Sequence, residues 1–330
     1  MVTDPANPVF KNPVWANPVT TRSRVVLEIA AELVALPDQR ERQAKVLLRE
    51  QGSGAAWPLC LFATSTSEGV EAVAQREADL AMINPSGPLT LAYRGQGRYQ
   101  HPLPVRAIAV IPSYDQYVFA VKATHGLARF EDIAARRVPL RVALRGQRDH
   151  CLHDMLDDIT AAAGFSVAAL ESWGGAVRRE GTLPYPDGPK FQALARGEID
   201  AIFDEAAPEW VDAALDAGMT ILPLAEATVE KLERLGYRRG LIERSLYPRL
   251  PADILTIDFS GWTIFVHAEA SDRLVEAICA ALDARKHLIP WQGEGPLPVE
   301  RMCRDAPDTP IDVPLHPAAE RYWRGRGYLP

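Results

Sequence analysis

An α/β fold in two similar lobes, with mainly parallel sheets and crossing hinge strands, is what this 330-residue sequence predicts, and three observations predict it. Apolar runs of strand length alternate with amphipathic helical segments along most of the chain. Two distant stretches, QREADLAMINPS (75–86) and ARGEIDAIFDEA (195–206), share one grammar: a polar helix end, an acid and an aspartate, an apolar strand, then polar side chains. Long apolar strands near 105–121 and 254–267 suit segments that pass from one lobe to the other.

The elements follow in order. MVTDPANPVFKNPVWANPV holds three Asn-Pro pairs and reads as an extended lead-in, because the residue before proline is pushed away from helix. VVLEIAAELVAL (25–36) is expected to be a half-buried helix ended by Pro37. PLCLFATS (58–65) suits a buried strand, TSEGVEAVAQREA a helix with a Ser/Thr cap, and DLAMI a second strand, so the three form a parallel βαβ unit. After Pro104, VRAIAVI and YVFAVKA read as strands, RFEDIAA as a short helix, PLRVALRG as a strand and RDHCLHDMLDDITAAAGF as a helix. SVAALES is expected as a strand, PKFQALARGE as a helix, and IDAIFDEA as the strand that closes the unit. PEWVDAALDAG, MTILPL and ATVEKLERLGY continue as helix, strand and helix, and PADILTIDFSGWTIFVHAEA as two strands. SDRLVEAICAALDARKHL is a helix with Ser271 as N-cap and basic residues in its last turn. Residues 290–314 are a proline- and charge-rich loop, and HPAAERYWRGRGYLP holds a last short helix.

Composition bounds the function. A formal charge of -7 with no basic arm argues against nucleic-acid binding, which requires a basic surface. Cys60, Cys151, Cys279 and Cys303 are too widely separated for a zinc knuckle or a CxxC pair, and suit reduced thiols or a disulfide. No run reaches the roughly 18 apolar residues of a membrane span, so no direct membrane insertion is expected. No secretory signal opens the chain, which as written is expected to be cytoplasmic. GxSxG and GxGxxG motifs are absent and no cofactor is expected.

Parallel sheets bind ligands at the carboxyl ends of their strands, where helix amino termini converge and favour anions. A cleft is therefore expected between a lobe of residues 1–110 with 262–330 and a lobe of residues 111–261. The first lobe offers Thr21 and Arg22, Ser65 and Thr66, and Asn84 and Ser86; the second offers Arg145, Gln147, Arg148, Trp173, Asp204 and Glu205. Tyr114 and Trp262 lie near the two crossings. Arg145 and Arg148 either pair with a ligand carboxylate or sit on a solvated loop. Of Asp204 and Glu205, one is expected to cap the Pro-started helix that follows and the other to meet the ligand. Trp173 and Trp262 are either stacking surfaces or plain core. His150, His153 and Asp154 share a helix face at metal-ligand spacing, but no third segment supports a metal, and a solvated or satisfied face is the better reading.

Taken together, TSEGVEAVAQREADLAMI, RGEIDAIFDEAAPEW, LYPRLPADILTI and LHPAAERYWRGRGY resemble the TAXI family of solute receptors over roughly residues 20–330. That resemblance implies a type II periplasmic binding protein fold, a small carboxylate-bearing ligand such as an organic acid or amino acid, TRAP-type membrane transporter subunits as partners, and a periplasmic location if an export signal has been removed. The chain departs from the family in WANPVTTRSR, which lacks the usual glycines, and at Ala318, where a glycine is usual. The alternatives are an intracellular enzyme and a ligand sensor on the same fold.

Overall fold

The computed structural model describes residues 22–35, 43–48, 59–64 and 66–330. It divides into two units, Met1–Gln43 and Ala44–Pro330. In the first, helix α1 (Arg22–Ala35) exposes Val25, Val26, Ile29 and Leu33, so it is not the half-buried helix expected: no other described element of its unit packs on it.

The second unit opens with β1 (Ala44–Leu48), β2 (Leu59–Ala63), α2 (Glu68–Ala74), β3 (Leu80–Ile83), α3 (Gly87–Arg94) and β4 (Val105–Ile111). There follow β5 (Val118–Lys122), α4 (Asp132–Ala135), β6 (Arg141–Leu144), α5 (Cys151–Ala162), α6 (Val167–Ser172), β7 (Ala176–Arg179), α7 (Pro189–Ala195) and β8 (Ala201–Asp204). The chain then runs through α8 (Ala207–Asp216), β9 (Met219–Ile221), α9 (Glu226–Leu235) and the hairpin β10 (Arg239–Ile242) and β11 (Ile254–Ile257). It ends with β12 (Trp262–His267), α10 (Asp272–Arg285) and α11 (Pro317–Gly325).

These elements build a two-lobed α/β fold on two five-stranded sheets, ordered β1-β2-β3-β12-β4 and β7-β6-β8-β5-β9. Both sheets are mixed rather than mainly parallel: β1 pairs antiparallel with β2, and the crossings supply the other antiparallel pairings. Strand β12 arrives from the second lobe and inserts between β3 and β4, antiparallel to both. Strand β5 arrives from the first lobe and inserts between β8 and β9, again antiparallel to both. Only β2–β3, β6–β7 and β6–β8 are parallel. The two linking segments run side by side: Tyr117 N–H donates to Ile257 O, Phe259 N–H to Asp115 O and Gly261 N–H to Ser113 O. Gly261 sits at φ +77°, and a Cβ there would meet Pro310, Ser86 Oγ and Val110 within 2.8 Å, so the second crossing requires glycine.

The shared grammar of the two lobes has a structural cause. In the first, Asp79 N–H donates to Cys60 O while its Oδ2 accepts the Cys60 N–H. In the second, Asp200 N–H donates to Arg141 O while its Oδ2 accepts the Arg141 N–H. Each aspartate thus locks the start of its strand to the neighbouring parallel strand, satisfying a backbone donor beyond the ladder.

Alternation along β5 divides the core. Tyr117, Phe119 and Val121 face one apolar cluster that also takes in Leu89 and Met155, while Val118 and Ala120 face another around Trp210 and Ile254. Phe119 lies against Tyr117, Phe130 and Phe203 with ring centroids 4.9, 4.3 and 5.5 Å away. A third cluster covers the other face of the first sheet, where Trp323 of α11 donates its indole N–H to Ile108 O. All four cysteines are free and buried.

One assignment fails. SVAALES is helix α6, because its buried residues Val167 and Leu170 are three apart and Ser166 Oγ accepts the Ala169 N–H as an N-cap. The strand is the next segment, β7, a partly exposed edge carrying Arg178 and Arg179. Strands β1 and β10 and helix α3 likewise had no reading in the sequence.

Phe119→Ala removes the ring on which the aromatic cluster converges and is expected to cost about 3–5 kcal/mol of unfolding free energy. Urea denaturation checks this, with an unchanged m-value as the sign that the native fold persists.

Candidate functional site

The carboxyl ends of β6 and β8 carry a buried cluster of charged side chains. Arg145, one residue past β6, is 2% exposed; Asp204, the last residue of β8, is 0% exposed and Glu205 7%. Lys190, in the first turn of α7, is also wholly buried. Arg145 Nη2 donates to Asp204 Oδ1 at 2.9 Å and to Glu205 Oε1 at 2.5 Å. Lys190 Nζ donates to Asp204 Oδ2, and to Thr182 O at 2.7 Å.

A fifth charged residue comes from the first crossing. Asp115 Oδ2 accepts the Ala206 N–H at 2.8 Å and its Oδ1 the Ala207 N–H at 2.9 Å, so Asp115 caps α8. This corrects the expectation that Asp204 or Glu205 holds that helix: Ala206 adopts φ +64°, which turns the chain between them and the helix start. Asp115 also lies beside the Glu205 carboxyl, whose charge opposes ionisation of Asp115. Burial and then Glu205 push Asp115 well above the usual carboxylate range; burial raises Glu205 despite the neighbouring Arg145.

Burial also opposes ionisation of Asp204, but Arg145 and Lys190 overcome it and hold its carboxyl below the usual value. Burial lowers Lys190, with Asp204 offsetting part of the loss. Two cations thus face the carboxyls of Asp204 and Glu205, with Arg145 bonded to both and Lys190 to Asp204. His150 completes the site's edge: burial, then the Arg145 charge, push it down to about 3, and its neutral Nδ1 accepts the Leu152 N–H as the cap of α5.

The other expected site residues divide. Thr21 and Ser65 lie outside the described residues, and Arg22 is exposed on α1 in the other unit. Thr66 and Asn84 of the first lobe meet the second directly: Thr66 bridges to His150, and Asn84 O accepts from Cys151 Sγ at 3.4 Å. Asn84 Oδ1, Arg145 Nε, the Tyr117 hydroxyl and Trp262 Nε1 are buried without a protein partner. Ser86 is instead taken up by its own sheet, bonding Gly261 O at 3.0 Å and Thr263 Oγ1 at 2.6 Å. Gln147 O accepts from His153 Nε2, and Arg148 is exposed on its loop. Trp173 packs on Phe165 with centroids 5.9 Å apart, as core. Tyr114 donates to Leu241 O at 3.0 Å, in a different cavity described below. His150, His153 and Asp154 form no metal-holding group, and no such group occurs among the described residues.

Sequence reasoning missed Lys190 and Asp115, and placed Tyr117 with Tyr114 near the first crossing. Lys190 had a signal: a lysine in the first turn of a helix is opposed by the helix dipole and calls for a compensating acid. Asp115 had none, since its partners lie about ninety residues away.

Lys190→Met leaves Asp204 with Arg145 alone, and is expected to cost about 3–5 kcal/mol in chemical denaturation. The pH dependence has a defined sign. Because the His150 pKa is depressed in the fold, the neutral form's contribution is complete above 6.5 and is lost as pH falls toward about 3. His150→Asn keeps a capping side chain and is expected to flatten that acid limb, measured as unfolding free energy against pH.

Comparison with curated proteins gives no match. Among solved structures, the alkanesulfonate-binding protein SsuA from Xanthomonas axonopodis pv. citri, bound to MOPS, is 16% identical with a TM-score of 0.33, over 66% of this chain and 59% of that one. The arginine-, lysine-, histidine-binding protein ArtJ from Geobacillus stearothermophilus is 10% identical with a TM-score of 0.28, over 68% and 74%. The ATP phosphoribosyl transferase (HisG:HisZ) complex from Thermotoga maritima is 13% identical with a TM-score of 0.33, over 80% and 92%. The match to SsuA thus spans less than two thirds of that protein's own length, and overlaps this shallow do not assign a ligand. The model of the NMT1-like family matches residues 63–327, most of the sequence, and the chain belongs to the NMT1-like family.

Proposed function

We propose that the protein is a solute-binding protein that holds a small polar organic ligand between its lobes, and that it is a TAXI-type receptor presenting its closed form to a TRAP-type transporter. The observation that carries this reading is the pair of orphaned polar atoms beside the contact between the lobes. Asn84 Oδ1, an acceptor from the first sheet, and Arg145 Nε, a donor from the second, are both buried and unpartnered. Buried polar atoms without partners are rare and costly, and a ligand that bonds both recovers that cost.

The ligand in this reading differs from the one the arginines alone suggest. Nη2 of Arg145 is committed to Asp204 and Glu205, so a bidentate grip on a free carboxylate would compete with two carboxylates of the protein's own. Arg145 Nε offers an N–H and Asn84 Oδ1 a carbonyl oxygen, which suits a ligand carrying both an acceptor and a donor: an amide, or the carbonyl and amine of an amino acid. The Tyr117 hydroxyl, buried without a partner and close enough to feel Asp204 and Arg145, supplies a further partner.

Closure in this reading is a rotation about the segments 112–117 and 258–261. Residues 44–110 with 262–330 form one body and residues 111–261 the other. No bond is made or broken, and a ligand shifts the lobes only by the difference in its affinity for the two forms.

Thermal-shift and calorimetric titration with amino acids, primary amides and simple carboxylates tests the proposal, with amides and amino acids expected to stabilise more than simple carboxylates. Asn84→Ala is expected to weaken the best ligand by about tenfold, the worth of one buried hydrogen bond. No stabilisation by any member of the panel, together with scattering profiles that do not change, overturns it.

A further inference from the structure

A second cavity, of about 730 Å³, lies against the paired linking segments and involves a different set of side chains. Its wall draws on both crossings through Tyr114, Gln116 and Asp258, on the hairpin through Gly240 and Glu243, and on the loop before α11 through Asp305 and Asp312. That volume is in the range of small-molecule sites.

Gln116 is the decisive residue. It is 2% exposed, and its Nε2 donates to Asp258 Oδ1 at 3.1 Å. A carboxylate accepts and does not donate, so this bond fixes the amide and leaves Oε1 on the other side, where it is buried without a partner. The oxygen lies over Gly240, a residue of the cavity wall, where an added Cβ would stand only 1.8 Å from it. Glycine at 240 therefore makes room for a carbonyl oxygen that nothing in the protein uses.

The charge around this acceptor is negative. Five carboxylates line the cavity against three guanidiniums. Two of those guanidiniums are occupied: Arg238 is bonded to Asp305 and Asp312, and Arg239 to Glu233 and Glu226. Among the described residues, Glu243 and Asp258 have no arginine or lysine within ion-pair distance, and their donors are neutral: Tyr114 and Ser245 for the first, Gln116 and Ser260 for the second. The phenol rings of Tyr114 and Tyr237 add faces that attract a cation.

We propose that this cavity is a binding site for an organic cation carrying several N–H donors, a primary ammonium or a guanidinium, which donates to Gln116 Oε1 and pairs with Asp258 and Glu243. The site is independent of the ligand proposed between the lobes, since of the residues expected at that cleft Tyr114 alone lines it. A cation seated here bridges both crossings and the hairpin, so it acts on the segments about which the lobes would rotate.

Calorimetric titration of the full chain with agmatine and with putrescine tests this, with 1,4-butanediol as the uncharged control. Agmatine is expected to bind at one site at physiological salt and the diol not at all. Gln116→Leu and Glu243→Gln are each expected to weaken agmatine roughly tenfold, the loss for one charge-assisted bond. Glu209→Gln, on the exposed first turn of α8, is expected to leave it unchanged. Glu243 is only half-buried, so its variant keeps the test open if Gln116→Leu fails to fold. Absence of agmatine binding at millimolar concentration, or binding that neither cavity variant weakens, overturns the proposal.

Discussion

Electroneutrality in a dry interior is the constraint from which the second lobe is built. Asp204 at the end of β8 has no access to water, and an isolated buried carboxylate is too costly to keep ionised. It is held ionised by Arg145 from the end of β6 and Lys190 from the start of α7, so one charge fixes the relative position of three elements. Glu205 adds a second carboxyl that accepts from the same Arg145, and Asp115 lies beside it. Asp115 ties the first crossing to the strand end, because both of its oxygens accept backbone N–H groups at the start of α8. The lobe's sheet, two of its helices and its connection to the other lobe therefore meet at one buried group.

The crossings extend the same logic to the whole molecule. Each lobe sends one strand into the middle of the other lobe's sheet sequence, which makes both sheets mixed and leaves two short segments, paired by backbone hydrogen bonds, as the covalent link. Those segments carry an unusual density of polar function for so few residues: Asp115 on one side reaches the charge cluster, Gln116 and Asp258 line the second cavity, and Gly261 allows the close approach that ends the second crossing.

Much of this architecture was legible because it is local. The repeated acid-Asp-strand grammar marks a real device, an aspartate that bonds both ways to the start of the adjacent parallel strand, and the strands that follow end at the charge cluster in one lobe and at Asn84 in the other. Ser271 capping α10 and the apolar crossings could likewise be read directly. What could not be read depends on distance in sequence. Asp115 displaced Asp204 and Glu205 as the cap of α8 through contacts with residues far along the chain, and Ser86 turned to Thr263 across its own sheet. The misreading of SVAALES was of another kind: a six-residue helix and a strand both bury two or three apolar residues, and the spacing of Val167 and Leu170 alone was too short a sample to separate them.

The four thiols offer a last consequence. Cys60, Cys151, Cys279 and Cys303 are buried, and for Cys279 and Cys303 burial raises the thiol pKa to about 12 and about 11, which suppresses the thiolate that reacts. Buried thiols kept protonated react with alkylating reagents chiefly when the fold opens, so the rate of label uptake is expected to report that opening. A cysteine placed on each lobe's surface would then be labelled selectively over the native four, without first stripping them from the core.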